Sequence, residues 1–274
     1  MPPVRVQRAM TSYHVHTQWS DGVGSVSEVI QSARALALDE VGISDHYVIH
    51  PSGSSLEWSM PVDRLTDYAD DVRRAAKAAP SRPLVRLGLE VDFLPATIEA
   101  TLAAIGACEF DYLIGSVHFI NGFPVDGHRR YWDALTQDEV DETWRDYYDR
   151  LAAMAETRAF DIVGHFDLPK KFGHAPASDL RAHALRALDA IANVGMAMEV
   201  NTSGWYQPAR EAYPARWIIS AARERDIPIT ITADAHNPRY LKRDFDRARE
   251  MVGEAGYDAV VRFERRARAT AALG

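Results

Sequence analysis

Cysteine is almost absent: Cys108 is the only one in 274 residues, so no intramolecular disulfide can form, and a reducing compartment is expected. Long apolar runs are absent too. No stretch approaches the roughly 20 residues of a membrane span, and the opening MPPVRVQRAM has no apolar core of the signal-peptide kind. These absences give the expectation of a cytoplasmic protein with no membrane partner. Basic charge is also short, with 31 Lys and Arg against 39 Asp and Glu and a formal charge of −8. A general nucleic-acid binder needs a basic face to neutralise phosphates, so that class is disfavoured. Linkers rich in Pro, Gly or Ser, low-complexity tracts and internal repeats are missing as well. The simplest reading is one domain spanning residues 1–274.

What is present is an alternation of short apolar or β-branched segments with amphipathic ones. Strands are expected at 10–16, 40–44, 84–92, 112–118, 162–165, 197–201 and 227–233, and an eighth at 259–263. Helices are expected at 26–38, 61–79, 95–107, 136–157, 178–193, 213–225 and 240–255. Ser25, with Glu28 three residues on, has the capping-box spacing ahead of the first helix. Seven or eight strand–helix units predict an α/β fold with parallel strands, closed as a (β/α) barrel. The loops at 47–60 and 118–133 are long for a compact domain, which marks them as functional.

The chemistry-bearing residues follow that alternation. In SYHVHTQWSD, His14 and His16 lie two apart on a strand, so both imidazoles leave the same face, with Tyr13, Val15 and Thr17 on the other. Asp21 follows in the loop. In a barrel the chemistry sits at the C-terminal ends of the strands, and that is where His46, Glu90, His118, His165, Asp234 and His236 fall. Six of the seven strands end in a histidine or carboxylate; the sixth, with Glu199 and Asn201, is the exception. A lone histidine at a strand end is ordinarily structural, whereas six coincident ends point to a metal site. His50, His128, His174 and His183 fall in loops or on helix faces and are expected to be solvated. Asp45, Asp92 and Asp167 are expected to orient ligating histidines.

HVHTQWSDG, GISDH, GLEVDF, IGSVHFI, DIVGHFDLPKKFG, MEVNTSG and TADAHNP, in this order, resemble the PHP (polymerase and histidinol phosphatase) superfamily, and among its members the histidinol-phosphate phosphatases. The likeness runs from about Ser12 to Phe263. It implies a distorted (β/α)7 TIM-like barrel with up to three divalent metal ions at the C-terminal ends of the strands. Carried onto this chain, it assigns His14, His16, Glu90 and Asp234 to one ion. Glu90, as a bridge, with His118 and His165 would hold the second, and Asp21, His46 and His236 the third. Six neutral histidines and three carboxylates around three divalent ions leave 6 − 3 = +3, which suits a phosphate dianion. Such ions hold phosphoryl oxygens, acidify a bridging water and stabilise in-line transfer. Mixed ligation suits zinc, manganese or iron.

The expected activity is hydrolysis of a small-molecule phosphate ester, L-histidinol phosphate, in histidine biosynthesis. Glu90, Asp234 and His236 are the candidate catalytic groups, with Asp234 or a nearby histidine protonating the leaving alkoxide. One departure stands out. After NTSG the histidinol-phosphate phosphatases commonly carry a leucine and then basic residues, whereas this chain has Trp205, Tyr206 and Gln207. Arg210, Lys170, Lys171 and Arg129 are the candidate replacements for phosphate binding. The aromatic pair also admits another ester, a nucleotide or sugar phosphate, with a base stacked on it. A nuclease is disfavoured by the acidic charge. Amidohydrolases share the HxH opening but usually bridge their metals with a modified lysine, and no strand here ends in lysine. A non-catalytic module with structural zinc would be cysteine-rich.

Overall fold

The computed structural model describes residues 10–79 and 81–273. Its centre is a ring of seven parallel strand units: β1 (Thr11–Ser12), β2 (Glu40–Ile43, resuming at His46–Tyr47), β3 (Leu84–Leu87, resuming at Glu90–Asp92), β4 (Ile114–Ser116), β5 (Ile162–Val163), β6 (Ala197–Asn201) and β7 (Ile229–Thr232). Neighbours pair in parallel in that order. A parallel bridge between Val15 and Ala235 joins the last unit to the first and closes the ring. There His16 N donates to Ala235 O and Ala235 N to His14 O, each at 3.0 Å.

Strands covered on both faces read as continuous buried runs, and β6, AMEVN, is buried throughout. Its side chains still alternate: Ala197 joins an interior cluster, while Met198 and Val200 join the larger core under the helices. The helices are α1 (Val26–Ala35), α2 (Leu65–Ala78), α3 (Ile98–Ile105), α4 (Arg129–Asp133), α5 (Gln137–Glu156), α6 (Arg181–Val194), α7 (Arg216–Arg223) and α8 (Phe245–Glu254). The Ser25–Glu28 capping box is formed, and Thr136 with Glu139 makes a second one at α5.

Three strand expectations change. Residues 10–16 keep regular pairing only at Thr11–Ser12, and Tyr13 turns to the bottom cluster with Tyr112 and Phe263 rather than to the helical layer. The expected strand at 259–263 lies outside the ring. It forms β8 (Ala259–Glu264), an antiparallel hairpin with β9 (Ala267–Ala272), which packs Val261 and Phe263 against Tyr13 and Tyr112. Beside them Glu40 accepts from Tyr13 Oη at 2.6 Å and pairs with Arg86 and Arg262. The end of the barrel opposite the histidines is thereby closed. The loop at 118–133 is partly ordered into α4 and a short hairpin of Phe119–Ile120 with Phe123–Pro124.

The third change is the break in β2 and β3. A Cβ on Gly42 would fall 2.0 Å from the Tyr112 hydroxyl oxygen and one on Gly88 2.2 Å from Tyr112 Cζ, so both positions must be glycine for that side chain to fit. At the break, Tyr68 of α2 supplies the missing pairing. Its hydroxyl donates to Ile43 O at 2.9 Å and Gly88 O at 2.8 Å and accepts from Asp45 N at 3.4 Å. Ile43 O also accepts from Gly88 N at 2.8 Å, so Tyr68→Phe strips Gly88 O and Asp45 N of this partner, and unfolding in urea is expected to show a loss of about 1–3 kcal/mol. An unchanged midpoint would mean that these groups find other partners.

Candidate metal centre

Glu90 resumes β3 just after the break, buried in the ring. Its Oε2 lies 2.8 Å from His46 Nδ1, 3.0 Å from His14 Nε2 and 3.5 Å from His16 Nε2. Its Oε1 lies 3.1 Å from His165 Nε2 and 3.6 Å from His118 Nε2 and accepts from Ser116 Oγ at 2.6 Å. Asp234 Oδ1 stands 3.2 Å from His16 Nε2 and 3.6 Å from His14 Nε2. Asp21 reaches His236 Nε2 at 3.2 Å and His46 Nε2 at 3.8 Å. Five histidines therefore surround Glu90, and Asp234, Asp21 and His236 join the same cluster through them, so the structure brings all nine residues named from the sequence together.

Much of this contact is not hydrogen bonding. His14 Nε2, both nitrogens of His16, Glu90 Oε2 and Asp234 Oδ1 are buried with no hydrogen-bond partner despite the short separations. Buried polar atoms left unpaired are costly, and nitrogen and carboxylate lone pairs facing one another suit a shared cation. The donor chemistry therefore fits divalent metal. Among the described residues three groups have ligand atoms mutually within 4.8 Å: His16, Asp21, His46 and His236; His14, His16 and Glu90; His46, Glu90 and His118. His16, His46 and Glu90 each fall in two groups, so the donors form one continuous cluster.

Burial alone would raise Glu90, but the imidazoles of His46 and His14 hold its carboxyl well below the usual range. Burial likewise opposes protonation of His118 and His236. The Asp92 carboxylate nevertheless raises the first to about 10, and Asp21 with Asp234 raises the second to about 9. Without metal the cluster thus holds protons that a divalent ion must displace.

The ligands are held from behind. Glu199, on the strand with no expected ligand, accepts from the His14 ring at Nδ1 at 2.8 Å, His165 N at 2.7 Å, Thr232 Oγ1 at 2.8 Å and Asn201 Nδ2 at 3.0 Å. The alternation of MEVN, with Glu199 and Asn201 on the inner face, was the signal for it. Asp92 accepts from His118 N at 3.1 Å and lies 3.6 Å from its ring. Asp45 and Asp167 orient no histidine. Asp45 accepts from Thr17 and Ser20 and fixes the loop that carries Asp21. Asp167 pairs with Lys170 and accepts from Ala215 N.

The cluster opens into a cavity of about 540 Å³, whose wall includes Trp58, Asp126, Lys171, Ser203, Gln207 and Arg243. Of the four basic residues proposed from sequence, only Lys171 reaches it, bonded to Asp126. Lys170 is spent on Asp167, Glu211 and the Ala212 carbonyl and lines a separate pocket. Arg210 and Arg129 are exposed away from the cavity, Arg129 against Asp133. His50, His128, His174 and His183 also stay outside it, bonded to Ser52, Arg130 N, Asp133 and Asp149. Trp205 is 7% exposed and lies under Arg247, so it cannot form a base-stacking pair with Tyr206.

Residues 12–203 match the model of the PHP domain family. The chain belongs to that family. This PHP chain is 34% identical over 244 residues to a curated Deinococcus radiodurans protein named "Probable histidinol-phosphatase", covering 89% of this chain and 92% of that one. It is 24% identical to the histidinol-phosphatase of Lactococcus lactis, over 92% and 93% of the two chains. Its fold superimposes on the crystal structure of the L. lactis histidinol phosphate phosphatase with a TM-score of 0.81, at 19% identity, covering 95% of this chain and 98% of that one. Among the described residues no helix is long and apolar enough to cross a membrane.

Glu199→Gln keeps the size of the side chain while removing the charge that His14 and His165 lean on. Metal affinity, measured by chelator competition, is expected to fall about 10- to 100-fold. Wild-type affinity in that variant would remove Glu199 from the support of the cluster.

Proposed function

We propose that this PHP chain is a metal-dependent phosphomonoesterase that hydrolyses L-histidinol phosphate to L-histidinol and phosphate. The observation that carries the reading is the single cluster of six histidines and three carboxylates, joined through buried Glu90, at the floor of an open cavity. Three divalent ions there would leave a net +3, matched to a phosphate dianion. Zinc, manganese and iron all suit the donors. The reading is supported by the D. radiodurans relative named above, and by the L. lactis neighbour, whose structure is a complex with zinc, L-histidinol and phosphate.

His14, His16, Glu90 and Asp234 would hold one ion, His118 and His165 with Glu90 a second, and Asp21, His46 and His236 a third. Bound there, divalent ions supply Lewis acidity toward phosphoryl oxygens and make water acidic enough to attack near neutral pH. The chain's own residues position and carry protons. Glu199 fixes the His14 imidazole and Asp92 holds the backbone of His118, which removes reorganisation from the transfer step. Asp234 turns Oδ1 to the histidines and Oδ2 to Asn201 Nδ2 at 3.2 Å and Ser203 Oγ at 3.5 Å. Its carboxyl is held well below the usual range because His14 and His16 outweigh its burial. Asp234 or a nearby histidine would return to the leaving alkoxide the proton that the attacking water gives up. Lys171 and Asp126 line the wall of the same cavity.

The test is phosphate release from a panel of monoesters by metal-analysed protein. L-histidinol phosphate is expected to give kcat/KM of about 10⁴ M⁻¹s⁻¹ or more, well above nucleoside and sugar phosphates. Faster turnover of another ester would keep the chemistry and reassign the substrate.

A further inference from the structure

Arg243 was not among the basic residues singled out from the sequence, yet its side chain lines the cavity of the metal cluster. It is held in an unusual way. Its guanidinium carbon lies 3.6 Å from the ring centre of Tyr206 and 4.5 Å from that of Tyr240. Tyr206 is itself anchored, its hydroxyl donating to Asp244. Thr202 Oγ1 donates to the Arg243 carbonyl at 2.8 Å, which ties the backbone to the segment after β6. The two tyrosines thus come from the turns after β6 and after β7, and the arginine is fixed where those turns meet.

An arginine so constrained would ordinarily answer a carboxylate. Among the described residues none is ion-paired with Arg243, and its buried Nε has no hydrogen-bond partner. Aromatic faces stabilise the cation without consuming its N–H donors, which lie in the plane of the group. What remains is a pre-oriented fork of unused donors beside a cluster that calls for an anion.

We propose that Arg243, clamped by Tyr206 and Tyr240, is the phosphate anchor of this site, donating to the phosphoryl oxygens of the substrate and of the phosphate product. The assignment rests on the phosphomonoesterase reading above. The chemistry of an amino-alcohol phosphate narrows the target: its ammonium repels a guanidinium, and its phosphate is the only anionic acceptor. The clamp lowers the ordering cost of the contact, because the side chain is fixed before the ligand arrives. A planar fork also recognises phosphate in a way that the point charge of Lys171 cannot.

The test compares wild type, Arg243→Ala and Arg243→Lys, each loaded with metal and analysed for content. Binding of inorganic phosphate is measured by calorimetry and by product inhibition. With metal content unchanged, Arg243→Ala is expected to weaken phosphate binding about 10- to 100-fold and to raise KM alike, with a smaller change in kcat. Arg243→Lys keeps the charge but loses the fork, and is expected to lie between the two. If Arg243→Ala does not fold, Arg243→Lys alone decides. Phosphate binding equal to wild type in either folded, metal-replete variant overturns the assignment. A loss of kcat and metal with phosphate binding retained would likewise overturn it. Should histidinol phosphate prove a poor substrate while inorganic phosphate binding still depends on Arg243, the anchor stands and the substrate reading falls.

Discussion

A single buried carboxylate governs the architecture of this protein. Glu90 lies inside the ring of strands with five imidazole nitrogens within 3.6 Å of its two oxygens. A buried charge is tolerated only when it is paired, and here the partners come from the ends of four other strands. Each therefore has to finish at the same height around the axis. The features nearby serve that requirement. β3 breaks at Gly88, next to the ring of Tyr112, and Tyr68 donates to the Gly88 carbonyl at the break. Glu199 holds the histidines of β1 and β5 from behind. Donors that would repel one another if charged alike are thereby kept within reach of shared cations.

The opposite end of the barrel is closed by a different chemistry. Tyr13, Tyr112 and Phe263 pack together, and Glu40 gathers Tyr13, Arg86 and Arg262. One end is thus a packed plug and the other an array of unsatisfied donors around a cavity. Unpaired donors gathered around a cavity in a well-packed frame mark a candidate site.

The candidate ligands could be picked out of the sequence because their placement depends on strand periodicity and strand ends, both local properties. His14 and His16 are two apart, and Glu90, His118, His165 and Asp234 each close an apolar run. Asp92 could be read as a support because it follows Glu90 on the same strand. Asp45 and Asp167 were misread because each turns away from the cluster, to a loop and to a neighbouring lysine. The substrate side was poorly legible. Lys170 and Lys171 are adjacent, yet only one faces the cavity, and a register of one residue inside a short turn decides which. Arg243 carries no local signal, because its role comes from Tyr206, more than thirty residues earlier. The eighth strand had the pattern of a barrel strand, and only its partner, Ala267–Ala272, makes it a plug.

The central claim is that Glu90 joins the ligands into one multi-metal cluster. Its most direct test is the metal stoichiometry of Glu90→Gln beside wild type, by elemental analysis after loading with zinc or manganese and gel filtration. Gln keeps the shape but loses the negative charge shared by the surrounding imidazoles. The account predicts loss of more than one equivalent of metal from a still-folded protein, and turnover abolished with it. A variant that keeps its full complement of metal and its activity would contradict the bridging role of Glu90.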